Sequence, residues 1–176
     1  MQTILFMAVL SLAVLAGAAA TQTRKEQADR VVTQYDAPSA ACALLSNAEV
    51  VKVTGRRSYG EPQGTQLTNG GSACDYDDVN LTLFSGPKSA EHYEALLKNF
   101  KKDKAARTPL SGVGDSAYLM VLTSGPTSEP NQHAVLVVRS GVHTMAVSME
   151  AQKAQTPQSL QPVLTSMART ALGKLR

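Results

Sequence analysis

Three histidines are the residues of this chain best suited to metal binding or acid–base chemistry. His92 falls in a predicted helix, on the side expected to face solvent, whereas His133 and His143 fall in two predicted adjacent strands. The two strand histidines could be cross-strand neighbours, and paired imidazoles can bind a transition metal. No carboxylate follows them at ligand spacing, so the pattern predicts ordinary surface histidines and no metal site.

Asp75, Asp77 and Asp78 form a short acidic cluster between two predicted strands. Calcium prefers such oxygen ligands. The EF-hand loop also requires a glycine and a distant glutamate at fixed offsets, and the sequence has neither. The cluster therefore predicts an Asx-rich turn.

A glycine loop, Gly112-Val113-Gly114-Asp115, precedes another predicted strand. A phosphate-binding loop would need a third glycine or a Lys-Ser/Thr ending, followed by a helix. The glycines are expected instead to permit a tight turn with positive φ. The chain also lacks the Gly-x-Ser-x-Gly pattern of a nucleophile elbow. The sequence thus assigns no catalytic residue and no cofactor, and it favours a non-enzymatic protein without excluding an enzyme.

Charge gives no indication of a nucleic-acid partner. The net charge is +3, which is mild for a chain of 176 residues. The basic run Lys98–Arg107 could attract an anionic polymer or a lipid surface, but such a run is more often a solvated helix end. Asn80-Leu81-Thr82 matches the N-glycosylation sequon, although it falls inside a predicted strand.

The N-terminus has the pattern of a cleavable signal peptide. The segment Ile4–Leu15 is apolar apart from one serine, and Ala18 and Ala20 supply the small side chains that signal peptidase requires. We place the cleavage after Ala20. The alternative is an uncleaved anchor, because Met1–Thr3 contains no Lys or Arg, and Ile4–Ala20 is 17 residues, at the short end of membrane-spanning lengths.

Export sets the expectations for localisation and for the cysteines. No cysteine follows the apolar stretch, so lipid attachment is not expected. We expect a secreted or periplasmic protein with no stable membrane insertion after signal cleavage. The chain has two cysteines, Cys42 and Cys74, and an even count in an exported protein predicts a disulfide. Two buried free thiols are the alternative.

The remaining pattern alternates helices with groups of strands. Residues 21–38 read as a polar linker, and residues 39–176 read as one α+β domain closed by one disulfide, in which helices pack on an antiparallel sheet. The predicted elements are a helix from Ser46 to Gly55, an edge strand at 57–59, strands at 72–76 and 79–84, a helix from Pro87, a loop at 107–115, strands at 116–122, 133–139 and 142–149, and a final helix beginning at Thr156–Pro157 or at Ser159.

Four segments in this order resemble small bacterial exported proteins of unknown function, many of which are lipoproteins. They are Cys42-Ala-Leu-Leu-Ser-Asn-Ala-Glu-Val50, Ser72-Ala-Cys-Asp-Tyr76, Gly112-Val-Gly-Asp-Ser-Ala-Tyr118 and Val137-Val-Arg-Ser-Gly141. The resemblance covers about residues 38–175 and includes the final helix.

In such proteins the first helix and the second cysteine motif are similarly placed, which supports a bridge between Cys42 and Cys74. The resemblance implies no catalytic residues. Because this chain lacks the lipobox cysteine, it implies a soluble form.

These patterns predict an exported, non-enzymatic envelope protein. It would be a binding or accessory module for an unknown protein or small ligand in the cell envelope. One alternative is an envelope hydrolase with a site assembled from dispersed residues, which a deep pocket with His133 or His143 near a carboxylate would favour. Another is an inhibitor of a second exported protein, which would contact it through the loop Ser124–Gln132.

Overall fold

Antiparallel strands form one open, seven-stranded sheet in the part of the chain that the computed structural model describes, namely residues 39–56, 60–102, 106–124, 131–152 and 155–175. Three α-helices accompany the sheet within these residues, so the predicted α+β class is confirmed. The strand order across the sheet is β1-β2-β3-β7-β6-β5-β4. The elements are β1 (Gln63–Gln66), β2 (Ser72–Tyr76), β3 (Val79–Ser85), β4 (Ala106–Leu110), β5 (Ser116–Ser124), β6 (Asn131–Ser140), β7 (His143–Glu150), α1 (Asn47–Thr54), α2 (Ser89–Lys102) and α3 (Gln161–Gly173).

The described residues all fall within one compact unit, Ala37–Arg176. The predicted signal peptide (1–20), linker (21–38) and edge strand (57–59) lie outside the described residues, and these predictions stay untested. Within the described part, no helix is both long and apolar enough to cross a bilayer.

Helix α1 begins and ends where its capping residues predict. Ser46 Oγ accepts a hydrogen bond from the backbone N–H of Glu49, and the Glu49 carboxylate accepts one of 2.7 Å from the backbone N–H of Ser46. This reciprocal pair is the predicted capping box. Gly55 follows the helix with φ of 70°, a left-handed conformation that glycine adopts at little cost. The prediction for this helix is confirmed.

A disulfide joins Cys42 to Cys74 and confirms the predicted pairing. It ties segment 39–45, which consists of turns, to strand β2. Ser39 Oγ also donates a hydrogen bond of 2.8 Å to the carbonyl oxygen of Ala73 in the same strand. Covalent and hydrogen-bonded links therefore hold this segment on the sheet.

The two faces of the sheet bury different side chains because neighbouring residues of a strand point to opposite faces. Helices α1 and α3 pack on one face, here called face A, and α2 packs on the other, called face B. Face A contributes Leu81, Leu119, Leu136, Met145 and Val147 to a core with Val50, Leu164 and Met167. Face B contributes Met120, Val135, Val137 and Ala146 to a smaller core with Tyr93 and Leu97.

The structure differs from the predictions at two strands and one helix boundary. Residues 107–110, predicted as the start of the loop 107–115, belong to the edge strand β4, and β1 at Gln63–Gln66 was not predicted. Helix α2 begins at Ser89, and Pro87 belongs to the preceding turn. Of the two predicted starts of the final helix, Thr156–Pro157 begins a 3₁₀ turn from Pro157 to Leu160 that Thr156 caps. The α-helix itself, α3, follows directly at Gln161, two residues after the alternative start at Ser159.

Candidate functional site

The two strand histidines are not neighbours, contrary to the prediction. His143 pairs with Ser140 at the turn of the β6–β7 hairpin, whereas His133 pairs with Glu150 at its open end. The tight turn after Ser140 sets this register and places the histidines at opposite ends of the hairpin. His133 does lie opposite a carboxylate, but no ion pair joins the two side chains among the described residues.

His92 does not face solvent freely, contrary to the prediction. Its ring stacks on the ring of Phe84 with centroids 4.2 Å apart, and the side chain is half-buried. The contact fixes the first turn of α2 against the end of β3. His92 thus has a packing role in the structure.

The acidic cluster forms the predicted turn. Tyr76 and Val79 are paired, so Asp77 and Asp78 make the two-residue connection between β2 and β3. Asp77 has φ of 66°, which aspartate tolerates better than most residues. Asp78 pairs with Arg56. Burial, and then the charge of Asp77, raise the pKa of Asp75. In the described ranges, no three or more His, Cys, Asp or Glu side chains are grouped so that they could hold a metal ion.

The glycine loop is also the predicted tight turn. Gly112 and Gly114 have φ of 75° and 60°. A side chain at position 114 would collide with the carbonyl oxygen of Arg139, since a Cβ there would lie 2.5 Å from it. The loop therefore closes on the β6–β7 hairpin, where Asp115 Oδ2 accepts a hydrogen bond from the Gly141 N–H.

One polar cluster on face B differs from these structural arrangements, and we call it the Arg139 cluster. It consists of Tyr93 from α2, Ser116 and Tyr118 from β5, and Arg139 from β6. Ser116 and Arg139 are directly opposite each other in the strand register. Tyr118 lies two residues from Ser116 on the same face, within diagonal reach of Arg139.

Helix α2 places Tyr93 over these strands. The buried hydroxyl of Thr144 on β7 donates a hydrogen bond of 2.7 Å to the carbonyl oxygen of Ser89, which anchors the first turn of α2. One turn later, the Tyr93 hydroxyl lies 2.7 Å from Ser116 Oγ. The phenol is buried, whereas Ser116 and Arg139 are half-buried. The cluster thus lies at the border between the α2 core and solvent.

Arg139 lacks a partner for its charge within the described residues. Its Nε atom is buried without a hydrogen-bond partner there, and neither of the ion pairs found in those residues includes it. A buried donor without a partner typically costs about 1–3 kcal/mol. The cost is larger when the donor belongs to a cationic group. Asn47, Arg56 and Asp78 each have one buried polar atom without a hydrogen-bond partner as well. Arg56 and Asp78 form an ion pair with each other and Asn47 is uncharged, so Arg139 is the one charged residue of the four that has no ion-pair partner within the described residues.

The Tyr93 phenol remains protonated at neutral pH. Burial raises its pKa above the ordinary value of 10.0, and the nearby charge of Glu94 acts in the same direction, whereas the bond to Ser116 and the charge of Arg139 act against it. A protonated phenol can donate a hydrogen bond but cannot activate Ser116 as a base would. The cluster can therefore bind an acceptor group, and it has no activated nucleophile.

A second arrangement has two members of a catalytic triad. Ser85 Oγ lies 2.9 Å from His143 Nδ1 at the exposed end of β3 and β7. A serine nucleophile needs a base oriented by a third group. In the described part of the chain, no carboxylate forms a hydrogen bond with His143. His143 could still accept the proton of Ser85 through Nδ1, so the pair is a second candidate site.

Sequence reasoning missed the Arg139 cluster. Its residues come from three elements and have no shared local spacing, so no motif could reveal them. One signal was available: Arg139 directly follows the apolar run Val135–Val138 of β6, where a half-buried arginine needs an acceptor or solvent for its charge.

Comparison with known protein families, with curated proteins and with solved structures found no match. The resemblance to small exported bacterial proteins therefore stays a prediction.

Proposed function

We propose that this protein is an exported, non-enzymatic module of the cell envelope that binds a ligand through the Arg139 cluster. The observation that carries this proposal is the half-buried Arg139, whose Nε has no partner among the described residues. The ligand is a small molecule or an exposed group of an envelope protein. Export rests on the signal-peptide pattern of residues 1–20 and agrees with the disulfide, because disulfides persist in oxidising compartments.

The energetics favour binding by this cluster. Removing a guanidinium group from water is costly unless acceptors replace the lost hydration. The strand register fixes Arg139 between Ser116 on β5 and Thr144 on β7. The Thr144 hydroxyl already donates to the helix backbone. An external acceptor would satisfy the arginine and would recover part of the desolvation cost upon binding.

The binding test compares ligand capture by three forms of the exported protein: the wild type, Arg139→Gln and Arg169→Gln. Each is incubated with extract of the producing cell's envelope, and captured compounds and proteins are identified by mass spectrometry. Arg169 is an exposed arginine that donates to the Gly112 carbonyl oxygen, so its variant is a matched control. We expect a species captured by wild type and Arg169→Gln but not by Arg139→Gln. Equal capture by all three proteins would contradict the proposal.

The exported state is tested separately. We expect N-terminal sequencing of the protein from the medium or periplasm to begin at Thr21. A chain that retains Met1 would instead support the uncleaved anchor.

The second candidate function is an envelope hydrolase with Ser85 as its nucleophile, which the Ser85–His143 hydrogen bond favours. A fluorophosphonate probe labels activated serines covalently, so labelling of wild type but not of Ser85→Ala would establish this candidate. Ser140→Ala is the matched control, since Ser140 lies on the other side of His143 in the sheet. Inhibition of another exported protein through 124–132 stays a prediction, because residues 125–130 lie outside the described residues.

A further inference from the structure

We infer that Asn80 is a modification site, to which the cell attaches an N-linked oligosaccharide during export. This inference shares with the proposed function only the expected export, and it does not involve the Arg139 cluster. The recognition sequence around Asn80, the accessibility of its amide nitrogen and the small side chains beside it support the inference.

The sequence around Asn80 contains the recognition elements of N-glycosylation. Asn80 is the one asparagine of the chain that has serine or threonine two positions later, namely Thr82. Asp78 lies two positions before Asn80. Bacterial oligosaccharyltransferases recognise an acidic residue at that position together with the sequon. The segment Asp78-Val79-Asn80-Leu81-Thr82 therefore fits the bacterial form of the signal, which agrees with the expected periplasmic location.

Strand β3 leaves the amide nitrogen of Asn80 accessible. Leu81 points to face A, so Asn80 and Thr82 point to face B. The Thr82 hydroxyl donates a hydrogen bond of 3.2 Å to Asn80 Oδ1. Asn80 Nδ2 forms no hydrogen bond with another described residue, and it is not among the buried polar atoms that lack a partner in the described part of the chain. The atom that would be glycosylated therefore reaches solvent in the folded protein.

Face B has room for a sugar beside Asn80. The register partners of Asn80 are Asp75 on β2 and Ser148 on β7, and both are short side chains that reach solvent. Helix α2 contacts β3 through the stacking of His92 on Phe84, which lies four residues, or roughly 13 Å, farther along the strand. The core beneath α2 includes no described residue of β2 or β3. A bulky, hydrated oligosaccharide would therefore cover a polar part of the sheet without displacing the helix.

Transfer of the oligosaccharide must precede completion of the sheet. In the folded protein the backbone of Asn80 is paired with a strand on each side, so it cannot enter the active site of a transferase. Its partner Ser148 lies on β7, the last strand of the sheet in chain order. During export, β3 therefore lacks this neighbour until almost the whole chain has crossed the membrane.

The transfer step joins Asn80 Nδ2 to C1 of the first sugar of a polyprenyl-diphosphate-linked oligosaccharide. The bond between C1 and the diphosphate oxygen breaks, and the lipid diphosphate leaves with the electron pair of that bond. Nδ2 gives up one proton. The side chain remains an amide, now with one sugar substituent on its nitrogen.

The test is mass spectrometry of the protein purified from the periplasm or medium of its own cells. Trypsin cuts after Arg57 and Lys88 and so releases Asn80 in the peptide 58–88. After reduction, we expect this peptide to carry a mass increase equal to a whole number of sugar residues, which fragmentation assigns to Asn80. Asn80→Gln and Thr82→Ala should lose the increase, whereas Thr82→Ser should retain it, because serine also supplies the hydroxyl of the sequon.

Two further variants test the recognition sequence. Asn69→Gln is the matched control, because Asn69 is an exposed asparagine of the same peptide without a hydroxyl residue two positions later, and it should retain the mass increase. Asp78→Asn should lose the increase, since it removes the acidic residue and keeps the sequon. The measured quantity is a peptide mass, so it does not depend on how stably a variant folds.

The outcomes distinguish this inference from the proposed function. An unmodified peptide 58–88 in exported wild type that begins at Thr21 overturns the inference and leaves the binding function intact. A mass increase that persists in Asn80→Gln also overturns it, and one that persists in Asp78→Asn overturns the role of Asp78. A chain that is not exported would contradict the proposed function as well, and N-terminal sequencing detects that case separately.

Discussion

The carboxylate of Asp115 accepts a hydrogen bond of 2.7 Å from the backbone N–H of Gly141. The backbone N–H of Asp115 in turn donates 2.8 Å to the carbonyl oxygen of Arg139. The loop 111–115 and the β6–β7 turn are therefore held together at two points. These bonds fix the register that places Arg139 opposite Ser116. Asp115, which is not part of the Arg139 cluster, therefore helps to position that cluster.

Replacing Asp115 with alanine should lower the free energy of unfolding by about 1 kcal/mol, because the Gly141 N–H loses a charged acceptor at an exposed site. Urea unfolding at pH 7 measures the change. Asp115→Asn retains a side-chain oxygen at the same position and should lower the free energy of unfolding by less. If the alanine variant were as stable as wild type, the hydrogen bond would have no role in holding the hairpin.

Replacing both Cys42 and Cys74 with serine should lower the melting temperature by about 10–15 °C. Closing a loop with a sequence separation of 32 stabilises a fold by about 3.5–4 kcal/mol in the chain-entropy model. Each kcal/mol shifts the melting temperature by about 3–4 °C in a domain of this size. Circular dichroism at low temperature should still show the sheet and helices. Mass spectrometry of the non-reduced, proteolysed protein checks the linkage, and free thiols in exported protein would contradict it.

Replacing Tyr76 with phenylalanine should cost about 1–2 kcal/mol at neutral pH, because the buried Leu45 carbonyl oxygen loses its 2.6 Å hydrogen bond. Burial, and then the charge of Glu49, raise the pKa of Tyr76 to about 12. Since its ordinary value is 10.0, the neutral phenol stabilises the fold fully below pH 10, and this contribution is lost as pH rises from 10 toward 12.

The variant Tyr76→Phe should therefore lose less stability than wild type between pH 9 and pH 11.5, as measured by urea unfolding. Tyr118→Phe is the matched control, because the Tyr118 hydroxyl makes no hydrogen bond to another described residue. If wild type and Tyr76→Phe lost the same amount of stability over this pH range, the Tyr76 phenol would not be the cause of the loss.

Glu49 should make the fold sensitive to acid. The hydrogen bond from Lys174, and then the bond from the Ser46 backbone, lower the pKa of Glu49 from 4.5 to about 2. The ionised carboxylate thus stabilises the fold above about pH 4.5, and the contribution is lost as pH falls toward 2. Glu49→Gln retains the neutral capping group and should cost about 1 kcal/mol at pH 7, since the pair is partly exposed.

The difference between wild type and Glu49→Gln should disappear near pH 2 in urea unfolding series. Lys174→Met should likewise remove most of the pH dependence between about pH 4.5 and 2, because Lys174 supplies the largest contribution to the lowered pKa of Glu49. If Glu49→Gln were as stable as wild type at pH 7, the ion pair between Glu49 in α1 and Lys174 at the end of α3 would not contribute to stability.

The elements that the sequence predicts well carry local signals of their own. The capping box Ser46–Glu49 and the alternation in Val79–Phe84 depend on neighbouring residues only, and both predictions agree with the structure. Strand β4 escaped prediction because four of its five residues are exposed and Pro109 interrupts its pattern. Strand β1 contains no apolar residue at all. Edge strands of this kind form through pairing with a neighbour, which a local pattern does not show.

The candidate site was harder to predict than the fold for the same reason. Tyr93, Ser116 and Arg139 meet only after α2 crosses the sheet and β5 pairs with β6. Histidine is a reactive residue type, but the hairpin register separates His133 from His143. A sequence pattern can predict a site only where the residues of that site are close together in the chain.

The strand order predicts that two parts of the sheet form separately and then join. Strands β1–β3 and strands β4–β7 each form a meander of consecutive hairpins. Among the described strands, the pairing of β3 with β7, here called the seam, is the one that joins the two meanders. Across that seam, contacting residues such as Ser85 and His143 are 58 positions apart, so its closure costs more chain entropy than either meander. Docking of the two preformed meanders is therefore expected to set the folding rate. Leu81→Ala changes a residue at the seam, and Leu119→Ala changes one in β5. In stopped-flow measurements, Leu81→Ala should slow refolding more than Leu119→Ala does.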